Sequence, residues 1–160
     1  MLVTLVAAAL AIAGTLLGAV VTARFQERAA ERQVRAAHGE AIRRDRLEAV
    51  TALACAASDH RRAMWMRGEA VLQGASPERI EALRGESHMT RSAVTRPLVA
   101  LRVLIEDRAV RAAADEMVTL TYALRDAYAT AEALAVAREA AKGAHDGFVD
   151  VAADYLGGAA

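Results

Sequence analysis

Four histidines, His38, His60, His88 and His145, and one cysteine, Cys55, are the side chains here best suited to proton transfer, metal ligation or nucleophilic attack near neutral pH. Such chemistry needs convergent groups, and on a helix convergence means a partner three or four residues away. No two histidines stand within four residues of one another, and no glutamate precedes a histidine by three, the spacing of di-iron helical bundles. Asp59-His60 and His145-Asp146 are adjacent pairs that point to different faces of a helix. The histidines are therefore expected as solvated surface groups. Cys55 lies beside the apolar seam positions Ala54 and Ala57 and is expected as a small packed side chain. No phosphate-cradling glycine loop or serine nucleophile motif occurs. The expectation is a protein that is not an enzyme, with no cofactor, no metal and no small-molecule substrate.

Two other groupings suit recognition. Met64-Trp65-Met66 is the densest cluster of bulky apolar side chains. It serves either as a partner surface or as packing at the tip of a helical bundle, and packing is the blander use of such a stripe. Gly14 and Gly18 have the four-residue spacing that lets transmembrane helices touch, so they are candidates for helix association in a membrane. Small residues are common in so alanine-rich a chain, and the spacing is equally compatible with no special role.

The elements that must position these groups begin with a run of 23 residues, 1–23, that carries no charged side chain. As a helix it would be about 34 Å long, against a hydrocarbon core of roughly 30 Å. It exceeds the apolar stretch of a cleaved secretory signal and has no basic start, so a retained anchor is expected, although Val21-Thr22-Ala23 would also serve as a cleavage site. Arg24, Arg28, Arg32 and Arg35 follow at once, a juxtamembrane basic cluster that would meet anionic lipid heads. Basic residues next to a span stay cytoplasmic, which predicts a single-pass cell-membrane protein with its N-terminus outside and residues 24–160 in the cytosol. Glu27, Glu31, Glu40 and Asp45 dilute the arginines, and no dense basic stripe is present, so direct nucleic-acid binding is not expected. The expected partners are the lipid bilayer and a protein, either another chain or a second copy of this one.

Beyond the span, alanine and arginine dominate, both strong helix formers, and strand signals are absent. Ala30, Val34, Ala37 and Ala41 keep helical spacing with few large groups, so residues 24–45 read as a helical stalk. Three apolar seams follow. The first runs through Leu47, Val50, Ala54, Ala57, Met64 and Val71, interrupted at Arg61 and Gly68. The second takes Ile80, Leu83, Val94, Leu101 and Leu104, diluted at Ser87 and Thr90. The third, Val110, Ala113, Met117, Leu120, Leu124, Ala127, Ala131 and Leu134, repeats at about 3.5 residues, a coiled-coil period. Gly74-Ala75-Ser76-Pro77 and Glu106-Asp107 mark the breaks, and Pro97 should bend or break the second helix. Helices over 46–73, 77–105 and 108–142 would be about 42, 43 and 52 Å long, and short connections make neighbours antiparallel. The predicted fold is all-α: a transmembrane anchor over 1–23, a helical stalk over 24–45, an antiparallel three-helix, coiled-coil-like bundle over 46–156, and a tail at 157–160.

The segment Ala13-Gly14-Thr15-Leu16-Leu17-Gly18-Ala19, the arginine- and glutamate-rich helix that follows, Arg96-Pro97-Leu98, and the stretch from Ala112-Ala113-Ala114 to Tyr122-Ala123-Leu124 resemble KilB-type small membrane proteins of actinomycetes. The resemblance implies a membrane component accessory to conjugative plasmid transfer or spread. A rival reading is a stator-like stalk resembling the ATP synthase b subunit, which requires an uninterrupted rod. A secreted helical bundle follows instead if residues 1–23 are removed.

Overall fold

The structure is a computed structural model that describes the backbone of residues 2–158 and the side chains of 24–26 and 28–158. The described elements are helices α1 (Leu2–Leu72), α2 (Pro77–Leu104), α3 (Arg108–Ala123) and α4 (Ala131–Gly158), with a 3₁₀ turn at Leu124–Ala127. No strand occurs among the described residues, so the chain is all-α. It divides into two compact units, Met1–Ile42 and Arg43–Ala160, and α1 contributes to both.

In the first unit every described side chain from Arg24 to Ala41 is exposed. Arg24, Arg28, Arg32 and Arg35 all face solvent, and Arg35 pairs with Glu31 at 3.0 Å across one helical turn. The expected span 1–23, with Gly14 and Gly18, lies outside the residues whose side chains are described. Among the described residues no helix is long and apolar enough to cross a membrane.

The second unit is an antiparallel four-helix bundle, one helix more than the seams predicted. Its core joins Val50, Leu53 and Ala57 of α1, Val94 and Leu101 of α2, Val110, Ala114 and Met117 of α3, and Phe148 and Ala152 of α4. A second cluster at the opposite end holds Met64, Leu124, Leu134 and Ala141. The pairing of early α3 with late α4 in one cluster, and late α3 with early α4 in the other, fixes the antiparallel order.

The expected helix over 108–142 is therefore two helices, broken between Leu124 and Thr130. An unbroken helix of that length would overrun α2 by about 10 Å and leave the apolar side of its far end in water. Three local devices make the turn instead. The chain tightens into the 3₁₀ turn, the Tyr128 hydroxyl donates to the Met64 carbonyl at 2.8 Å, and Thr130 caps α4 by accepting from the Ala133 amide at 3.0 Å. Lys142, Gly143 and Gly147 lie inside α4, which continues through Phe148, Ala152 and Tyr155.

The other boundaries follow their sequence signals. Gly74 has φ +66° and ends α1 in a Schellman arrangement, with Gly74 N–H on the Val71 carbonyl and Ala75 N–H on the Ala70 carbonyl. Ser76 caps α2, and Pro77 takes its first turn. Asp107 caps α3 by accepting from the Val110 amide at 3.0 Å. The end of α2 is closed by arginines: Arg111 donates to the carbonyls of Arg102 and Ile105, and Arg46 donates to that of Leu104. Cations there also oppose the negative end of the helix dipole.

Pro97 does not break α2, which runs on to Leu104. The carbonyl it leaves without an intrahelical partner belongs to Ala93, which is exposed, so water can take that bond. The second unit is not the uninterrupted rod that the stalk reading requires, because it reverses direction after Leu72, after Leu104 and again between α3 and α4.

Candidate functional site

The most polar part of the bundle interior lies between α1, α2 and α3. His60 on α1, Ser87 on α2 and Thr121 on α3 are all buried. His60 is 2% exposed, which corrects the expectation of solvated histidines at this position. Its Nδ1 lies 3.0 Å from Thr90 Oγ1, and its ring meets Tyr122 edge-on, with centroids 5.3 Å apart and planes at 81°. Thr90 Oγ1 also stands within donating distance of the Glu86 and Ser87 carbonyls, at 3.1 and 3.2 Å. The Thr90 hydroxyl thus links His60 to the α2 backbone, the direction of the His60–Thr90 bond being set by the imidazole tautomer.

Burial pushes the His60 pKa down from 6.5 to about 4, with Arg91 and His88 adding positive charge that works in the same direction. The neutral imidazole is thus a structural group at pH 7. His38 and His88 are exposed and His145 is half-buried, 3.2 Å from Asp146. Among the described residues no three histidine, cysteine, aspartate or glutamate side chains converge as metal ligands would.

A pocket of about 320 Å³ opens beside His60. Arg67 comes to it from α1, Arg84, His88 and Arg91 from α2, Tyr122 from α3, and Arg125, Asp126 and Tyr128 from the turn and the residue after it. The Arg91 guanidinium lies over the Tyr122 ring at 4.5 Å, and that of Arg67 over Tyr128 at 5.8 Å. Burial raises the Tyr128 pKa, partly offset by Arg67, so its phenol stays protonated and donates to Met64. Gly68 makes room for that ring: a Cβ there would stand 2.7 Å from Tyr128 Cε1 and 2.8 Å from Leu134 Cδ2.

The apolar cluster does not act as one patch. Met64 is 4% exposed and belongs to the core, so it does not share a surface with its neighbours. Trp65 is half-buried beneath the Arg138 guanidinium, 4.4 Å from the ring centroid, and Met66 is exposed. Met64 therefore packs in the core, and of the three residues only Met66 is exposed. Cys55 is exposed, contrary to its expected packing, because the seam passes through Leu53 instead of Ala54 and turns residue 55 outward.

The pocket was not foreseen from the sequence. Its trace was limited to the polar interruptions of the first two seams, at Arg61 and at Ser87 and Thr90.

Comparison with known proteins bears on the whole bundle. A family described as KilB plasmid transfer protein matches residues 47–156. Protein KilB of Streptomyces lividans is 42% identical over 148 residues, which cover 92% of this chain and 96% of that protein. No solved structure matches. The likeness seen in the glycine-containing opening and in the Arg96-Pro97-Leu98 stretch thus extends over nearly the full sequence, and the chain belongs to the KilB plasmid transfer protein family.

Proposed function

We propose that this chain is a non-enzymatic, single-span membrane component accessory to conjugative plasmid transfer or spread, with residues 24–160 forming a cytosolic interaction region. The family supports the association with plasmid transfer. The observation that carries the anchored reading is the uncharged run 1–23 followed by Arg24, Arg28, Arg32 and Arg35. A run of that length suits a bilayer, and the arginines hold its far side in the cytosol. Gly14 and Gly18 offer a close-packing face to another span.

Support for an interaction role comes from the surface of the first unit. Phe25 and Val34 are 67% and 69% exposed on a helix whose described side chains from Arg24 to Ala41 all face outward. Such a helix makes its apolar contacts with another chain or with lipid heads. Trp65 and Met66 offer a second contact on the bundle. The test is plasmid spread from a strain deleted for the gene, complemented either with the full chain or with a chain lacking residues 1–23. Restoration by the full chain alone is expected. Equal restoration by the shortened chain would remove the anchor from the function.

A further inference from the structure

We propose that the pocket between α1, α2 and α3 binds a phosphate dianion, either free or as the head of a small phosphomonoester. This site is separate from the anchoring and contact surfaces above. Four arginines from three elements face one opening, against the single carboxylate of Asp126. Asp126 is engaged by Arg125 at 3.2 Å, and Arg84 by Glu81 at 3.6 Å. Arg67 and Arg91 make no ion pair among the described residues, and each lies over a tyrosine ring instead.

The buried Arg67 Nε has no hydrogen-bond partner among the described residues. A buried charged donor left unmatched is costly, and an anionic oxygen is the acceptor that would remove the cost. Guanidinium forks match the oxygens of phosphate, and several arginines around one opening exceed what a single carboxylate can satisfy. The volume of about 320 Å³ also leaves room for an organic group beyond the phosphate, with Tyr122 and Tyr128 as walls. Burial, with Arg91 and His88 adding to it, lowers the His60 pKa, in keeping with the cationic surroundings of the pocket.

The experiment is titration calorimetry on the full chain in zwitterionic detergent, with inorganic phosphate as probe and ionic strength fixed by chloride. Saturable binding is expected in the parent protein. Arg67→Lys and Arg91→Lys, which keep charge but lose the fork, should each bind about tenfold more weakly. The double variant Arg67→Gln/Arg91→Gln should not bind, with circular dichroism confirming its helical fold. Arg79→Gln, on exposed α2 outside the pocket, should bind as the parent does. Phosphate heat no larger than chloride dilution, or undiminished binding in a folded double variant, would overturn the proposal. In a parallel arm, phosphatidate in phosphatidylcholine vesicles competes with free phosphate. Displacement identifies a lipid head as the source, failure to displace identifies a soluble phosphomonoester, and both support the phosphate site.

Discussion

His60 and Gly68 show how single residues set the interior of this bundle. The folded pKa of His60 lies below its unfolded value, so the native state resists a proton that the unfolded chain accepts. The stabilisation is complete above pH 6.5 and is lost as pH falls from there through about 4, up to about 3 kcal/mol in all. Thermal melts from pH 7.5 to 4 should therefore fall most steeply below 6.5, and His60→Gln should flatten that part of the curve. An unchanged slope would mean that other groups set the acid response. Gly68→Ala is expected to destabilise by about 1–3 kcal/mol, because Tyr128 is held by its bond to Met64 and cannot yield freely. Denaturant titration measures this, and a neutral result would contradict the close approach.

At the scale of elements, capping signals were readable because they are local. Gly74, Ser76-Pro77 and Asp107 act through bonds spanning a few residues, so composition alone locates them. Asp107→Ala should cost about 1 kcal/mol by loss of the cap on α3, again read by denaturant titration. The break before α4 was not readable, because it rests on Tyr128 reaching Met64, 64 positions away in sequence. The 3.5-residue pattern simply continues through it. Seam choice had the same weakness: Leu53 and Ala54 both fit the spacing from Val50, and only the neighbouring helices select Leu53 for the core. That selection left Cys55 exposed and placed His60 inside.

For the whole molecule, the all-helical class followed from composition and period, and the polar pocket emerged only when α1, α2, α3 and the turn after it were set side by side. Polar residues that look like weak packing in one helix line a shared pocket once their neighbours are in place. The proposed function rests on where residues 1–23 reside, and the most direct measurement is protease treatment of intact spheroplasts followed by fractionation. The account predicts a membrane-bound chain whose residues 24–160 survive external protease and are digested only after lysis. Digestion of that region from outside, or recovery of dissolved protein beginning near Arg24, would contradict it.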